Sequence, residues 1–387
     1  MISRNAERKC AILVALFMAV AVAFAACGGG GNGSSGGAAG GNTATPGGNP
    51  TSKTGTSTPT KSKTQGPQGT PTPTPTATGI PTVIVHGDNI RSAVQNAPPG
   101  STVIVRPGTY SAFTLSAANL QGPITLLADV TGTLTETSPA PVVVDAALGP
   151  AAITLSNIPQ ASALVIDGFT LRNGATAGIV VDHSPGTIIQ NCTFESNPGD
   201  GALLTGSDGS LLFNNLIINN SGAGVQAIGT NQVEIFNNTL YQNADMGISI
   251  GSDSPNAVVE NNIINENQPF GIAVAADSIS GYDGDYNLNY DLNNGAPYSP
   301  MSIAGSNDVV EMPQFIAPTG LYPDFHLAPS SPAIDAGDPN TPASLLDLLQ
   351  QRTTQSNCTP DSPPVDLGYH YPTTDPSCPV PTPTPSK

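Results

Sequence analysis

Asp182 and His183 stand side by side in a 387-residue chain that has only four His. A carboxylate beside an imidazole is the kind of pair that moves protons. Asp200 is the third candidate, because a chain folding back on itself every 23 or 24 residues can bring it close to the other two across adjacent turns. The competing reading makes Asp182 and His183 solvated turn residues, since Thr205, Ile228, Gly251 and Ala275 hold the equivalent place later in the chain. Asp283, Asp285 and Asn287 have the alternate oxygen-donor spacing of calcium loops. The distal Glu that completes such a loop is missing, so Ca2+ is the one cofactor considered and none is required. Phe213 and Phe236, with Gln190 before them and Glu260 after, recur at one outward position and can form a flat platform for sugar rings. Leu164, Ile166, Ile188, Leu211 and Val258 are assigned to the same face, which equally fits a face covered by another part of the chain.

The elements that position these residues are repeats. From Leu164 to Val274 five units share one frame. It begins with an apolar residue (Val165, Ile189, Leu212, Ile235, Val259) and a polar turn residue (Asp167, Asn191, Asn214, Asn237, Asn261). A second apolar position follows (Thr170, Phe194, Ile217, Leu240, Ile264), then a second Asn (Asn173, Asn197, Asn220, Asn243, Asn267). Each unit ends on a Gly (Gly178, Gly201, Gly224, Gly247, Gly271), with apolar residues one and three places after it. Three short bursts of period-two alternation per unit predict three short strands separated by turns. Such strands cannot bury an apolar edge alone, and stacking successive coils gives each a parallel neighbour. Asn columns suit the stack because an amide can donate to one coil and accept from another.

On these residues the chain resembles right-handed parallel β-helices of the pectate-lyase-like type. The resemblance implies an all-β solenoid of eight or nine coils over residues 81–300. It does not choose a function, because lyases, hydrolases, adhesins and non-catalytic surface proteins share the architecture. Uronate lyase chemistry needs a cation for the substrate carboxylate and a base, commonly Lys or Arg. Between Ile80 and Pro372 there is no Lys, and the only Arg residues are Arg91, Arg106, Arg172 and Arg352. The adjacent Asp pair and Gly-His-Gly triplet of polygalacturonase-type hydrolases are absent as well. The net charge of −17 excludes nucleic acid as a natural partner, whose binding rests on cationic contacts to phosphate.

The two ends speak about location. Arg4, Arg8 and Lys9 precede an apolar run from Ala11 to Phe24 that is too short to span a bilayer, so residues 1–27 read as an export signal. Cys27 stands where bacterial lipoproteins carry their lipidated Cys, which implies membrane attachment through an N-terminal lipid. Phe24 departs from the usual aliphatic residue of that pattern, so ordinary signal cleavage remains the alternative. Residues 28–80 are Gly, Ser, Thr and Pro rich and predict a disordered tether; residues 373–387 predict a disordered tail. Cys192 reads as a small buried residue, and Cys358 with Cys378 as a disulfide suited to an exported chain.

Both ends of a solenoid need covering. Upstream, Asp88 is placed to cap a helix carrying Ile90, Val94 and Ala97. Downstream, "GYDGDYNLNY", "FHLAPSSPAIDAGDP" and "VDLGYHYP" resemble the choice-of-anchor Q module of bacterial surface proteins, over residues 301–372. Asp335, Gly337, Asp338, Asp366, Leu367 and Gly368 match its motifs, whereas "LLDLLQQR" departs from them. Together these features predict an exported, lipid-anchored β-helix that acts as a scaffold or binds a polysaccharide without catalysis. A polysaccharide lyase or glycoside hydrolase is the alternative, and an adhesin a third.

Overall fold

The computed structural model describes residues 81–373, except 86, 88, 292–294 and 321–322. The expectations for the signal, the tether, Cys27, Asp88, Cys378 and the tail from residue 374 lie outside the described residues. Cys358 is disulfide-bonded, and Cys192 is free and buried.

Parallel strands form three long sheets of nine, eight and eight strands. Sheet 1 runs from Thr82–Val85 to Asp283–Asp285, sheet 2 from Gly108–Ser111 to Leu288–Tyr290, and sheet 3 from Phe113–Ser116 to Ala296–Tyr298. Each coil supplies one strand to each sheet, and consecutive coils pair in register, so the chain is a right-handed parallel β-helix. The core is a set of aligned aliphatic rows. Val103, Leu126, Ile166, Ile189, Leu212, Ile235 and Val259 fill the row of sheet 1, all fully buried. Each such side chain contributes about 1.5–3 kcal/mol on burial.

The first repeat is corrected by one residue. Ile166, not Val165, is in register with Ile189, and Leu171, not Thr170, with Phe194. Accordingly Gly168 takes the left-handed turn position that Asn191, Asn214, Asn237 and Asn261 hold in later coils, with φ of 82° against 52° to 61°. Glycine does there without strain what asparagine tolerates. Leu164 and Ile166 are both fully buried in the central core, so neither belongs to the outer face.

Three polar ladders run along the corners. In the first, the side chains of Asn215, Asn238, Asn262 and Asn287 hydrogen-bond in series at 2.9–3.0 Å. Asp308 closes that series by accepting from the Asn287 backbone N–H at 2.7 Å. In the second, Asn197, Asn220, Asn243 and Asn267 do the same at 2.8–2.9 Å. In the third, the hydroxyls of Ser207, Thr230, Ser254 and Ser278 each accept a backbone N–H from the preceding coil. The Asn, Ser and Thr side chains of the ladders are all buried, so the ladders satisfy the backbone groups that the turns leave unpaired.

Helix α1 (Ile90–Asn96) buries Ile90 and Val94 against the first coil. At the other end, residues 305–309 pass over the last strands as a partial further turn, with Val309 bridged to Leu288. A hairpin (Phe315–Ala317 with Asp324–Leu327) and α2 (Ala343–Leu349) follow, then a short pairing of Arg352–Thr353 with Tyr371–Pro372.

Candidate functional site

Asp182 and His183 do meet. Nδ1 of His183 lies 2.7 Å from Oδ1 of Asp182, with the two side chains 64% and 37% exposed. His183 has φ 45° and its ring rests against Gly206. Asp200 does not join them. Its strand pairs Ala177 with Asp200 and Asp182 with Thr205, so five residues separate the carboxylates along the strand, about 16 Å. The frame that aligns Gly178 with Gly201 is itself what holds them apart.

Asp200 has its own surroundings. Oδ1 accepts the Ala223 N–H at 2.8 Å, yet burial raises the carboxyl pKa to about 6, with Asp245 adding to the rise and the Ala223 bond opposing it. A carboxyl that holds its proton near neutrality suits a general acid.

The aromatic platform is overturned. Phe213 and Phe236 are 1% and 2% exposed, beneath Leu345 and Leu349 of α2 and Val365. Gln190 and Glu260 are buried with them. Gln190 donates to Asp167 Oδ2 at 2.8 Å. The covered-face alternative is the one observed, for the physical reason that Val165, Ile188, Leu211 and Val258 form one apolar patch with the two rings.

Two of the three calcium-loop residues have protein partners. Asn287 is a ladder rung: its Oδ1 already accepts from Asn262, and its Nδ2 donates to Val259 O and Asp285 O. Asp285 accepts from Tyr286, from the Asn307 backbone and from the Asn307 side chain. Asp283 faces outward at the end of sheet 1 with Tyr282 beside it. No group of three His, Cys, Asp or Glu is arranged to hold a metal among the described residues.

What holds the C-terminal segment in place escapes the repeat frame. The left-handed Asn residues at the sheet 1 to sheet 2 corner turn outward and grip it. Asn214 exchanges two bonds with the His370 backbone at 2.6 and 3.0 Å, Asn237 donates to Asp366 O, and Asn261 accepts from Asp338 N at 2.8 Å. Behind that contact lies a buried charged cluster. The His370 ring nitrogens face Gly368 O at 2.9 Å and Asp361 Oδ2 at 2.7 Å. Asp361 also accepts the Asp366 N–H. Burial and the nearby Asp361 raise the Asp366 pKa, against bonds from Thr354 and the Asp335 N–H.

The outer faces therefore differ. Sheet 1 is covered by α2, and sheet 2 carries Leu216, Ile218 and Tyr241 under Phe325, Phe315, Tyr369 and Tyr371. Among the described residues no such cover packs on sheet 3: Thr154, Val180, Leu203, Gln226, Ser249 and Ala273 form one partly buried column, with Ser156, Asp182, Thr205, Ile228 and Gly251 beside it. Asp182 and Asp200 are the only charged residues in its eight strands.

Residues 156–288 match the family described as "Right handed beta helix region". No curated protein matches the chain. Among solved structures, the chain is similar to pectate lyase Pel9A, at 13% identity and TM-score 0.35, over 68% of this chain and 92% of that one. It is also similar to the periplasmic alginate epimerase AlgG, at 17% identity and TM-score 0.34, over 55% of this chain and 62% of that one. A third likeness is to the catalytic unit of a GH87 α-1,3-glucanase from Streptomyces thermodiastaticus, at 20% identity and TM-score 0.35, over 61% of this chain and 45% of that one.

Proposed function

We propose that this chain is an exported, lipid-anchored β-helix that binds an uncharged polysaccharide on the outer face of sheet 3, without catalysis. The observation that carries this reading is that, among the described residues, sheets 1 and 2 are covered and sheet 3 is not. Its exposed column offers aliphatic carbons from Val180, Leu203 and Ile228 beside hydroxyl and amide groups from Thr154, Thr205, Gln226 and Ser249. Sugar rings present the same mixture. An acidic protein with no Lys between Ile80 and Pro372 repels polyanions, so a neutral chain is the better ligand. Cys27 and the Gly/Ser/Thr/Pro segment behind it support a domain held away from a membrane.

A screen of the full chain against neutral and acidic glycans, with reducing ends and unsaturated products followed in parallel, tests the reading. Binding to neutral glycans without turnover, lost in Leu203→Asp and weakened in Gln226→Ala, is the expected result. Turnover that disappears in Asp182→Asn or Asp200→Asn would replace it with the enzymatic reading, which the raised pKa of Asp200 favours. Cys27→Ser is expected to release the protein from membranes, and retention of that variant would refute the lipid anchor.

A further inference from the structure

The two ends of the tube are unlike in charge, and each presents apolar surface. Between residues 81 and 128 the sequence has Arg91 and Arg106 against Asp88. Arg91 is exposed on α1. Between residues 274 and 316 it has Asp277, Asp283, Asp285, Asp291, Asp308 and Glu311, and neither Lys nor Arg. The first end thus carries half of the Arg residues between Ile80 and Pro372, and the last end is strongly acidic.

At the first end, strand Thr82–Val85 pairs on one side with Thr102–Val105 and is the terminal member of sheet 1. Between it and α1 lies an open cavity of about 300 Å³ lined by Val83, Ile84, Asn89, Ala93 and Asn96. Ile84 is 38% exposed there, and none of the lining residues is charged. At the other end the partial turn over the last coil carries Met301 and Ile303 before it and Val310 and Met312 after it, 46–75% exposed. Glu311, also exposed, sits between the last two. Exposed apolar side chains on one end and an uncharged cavity of mixed apolar and amide lining on the other form a heterologous pair, which adds copies in line because the two surfaces face opposite ways along one axis.

We propose that copies of this chain associate head to tail, with the Met301, Ile303, Val310 and Met312 surface of one copy seated in the Val83–Ala93 cavity of the next. Arg91 against Glu311 and its neighbouring carboxylates selects this orientation over head-to-head or tail-to-tail contact. The partner is a second copy because each end supplies the charge and the shape that the other lacks.

Sedimentation velocity on the full chain carrying Cys27→Ser, which removes the lipid, tests this. A concentration-dependent series of oligomers is expected, shifting toward monomer as salt rises through the range where exposed charges are screened. Ile84→Asp and Ile303→Asp should each weaken self-association at least tenfold while far-UV circular dichroism stays unchanged. Mixed in equal amounts, the two variants retain one intact surface each and should form a dimer and nothing larger. A monomer at every concentration, a wild-type assembly that stops at dimer, or a mixture of the two variants that stays monomeric would each overturn the proposal.

Discussion

Asn219 and Asn220 are sequence neighbours in one coil, and replacing each by Ala separates the two jobs that asparagine does in this fold. Asn220 is 1% exposed. Its Oδ1 accepts from the Asn197 backbone at 3.1 Å and side chain at 2.8 Å, and its Nδ2 donates to Phe194 O at 3.2 Å and Asn243 Oδ1 at 2.9 Å. Truncation leaves the Asn197 N–H without its acceptor and removes one bond each from the Asn197 amide, which keeps Leu171 O, and from Phe194 O, whereas Asn243 Oδ1 keeps the Asn220 backbone N–H. At about 1 kcal/mol for each buried bond lost, Asn220→Ala costs about 3 kcal/mol. Asn219 is exposed with φ 54°, so Asn219→Ala loses only left-handed tolerance, about 1 kcal/mol. Urea denaturation of the full chain followed by circular dichroism measures both losses. Hydrogen exchange adds a local readout: the Asn197 amide, bonded to the Asn220 side chain, should exchange faster in Asn220→Ala and at the parent rate in Asn219→Ala. Equal stability losses, or an unchanged Asn197 amide, would refute the ladder as a source of stability.

Asp200 binds its proton more tightly in the folded chain than in the unfolded one, so ionising it costs stability. That cost is absent below pH ~4, grows through about 6 and is constant above. Because the group keeps water on one side, Asp200→Asn should gain about 1 kcal/mol at pH 8 and nothing at pH 4 in urea titrations, and a gain independent of pH would sink the idea. His370→Ala takes the imidazole from the buried Asp361 carboxylate and leaves it only the Asp366 and Ser362 N–H groups, at about 3 kcal/mol. Its effect should appear as faster exchange across residues 343–370 and new binding of a hydrophobic dye, with sheet 3 amides unchanged. Phe236→Ala opens a cavity under α2 and should cost about 3–5 kcal/mol while leaving glycan binding intact; loss of binding at unchanged stability would restore the aromatic platform.

The repeat was legible because Gly201, Gly224, Gly247 and Gly271 recur beside aliphatic residues with few interruptions. At the first unit Gly168 makes the turn that Asn makes later, so a frame keyed to Asn falls on Asp167, one residue early. The corner ladder Asn215, Asn238 and Asn262 was missed for a related reason. Each of these follows another Asn, and composition does not say which member of an Asn pair turns inward. The hydroxyl ladder is harder still, since Ser207, Thr230, Ser254 and Ser278 are common residues in a sequence rich in Ser and Thr. The covering of Phe213 and Phe236 depends on α2, more than a hundred residues away, and local periodicity has no access to such a contact. Asp182 and Asp200 were brought together by adjacency of coils alone, whereas register along the strand decides distance.

The paired asparagines connect the fold to the function proposed for it. In Asn214–Asn215, Asn237–Asn238 and Asn261–Asn262 the second residue binds coil to coil, and the first, held in the left-handed turn, binds the C-terminal segment. One dipeptide therefore both extends the tube and fixes where its cover sits, at the corner shared by sheets 1 and 2. A segment anchored at that corner can reach the faces on either side of it, and α2 and the Phe315–Leu327 hairpin occupy one each. Sheet 3 lies opposite the corner, and none of the described C-terminal segment reaches it. Its side chains are free of the apolar demand that shapes the outer faces of sheets 1 and 2, and they carry hydroxyls, amides and short aliphatics, the mixture on which the proposed glycan binding rests. Moving the anchor is the direct way to separate these roles: Asn214→Ala with Asn237→Ala should loosen the cover, exposing sheet 1, and leave glycan affinity on sheet 3 within about twofold of the parent, because no bond of either side chain reaches that face. A large loss of affinity in that double variant would mean that the cover, not sheet 3, makes the binding surface.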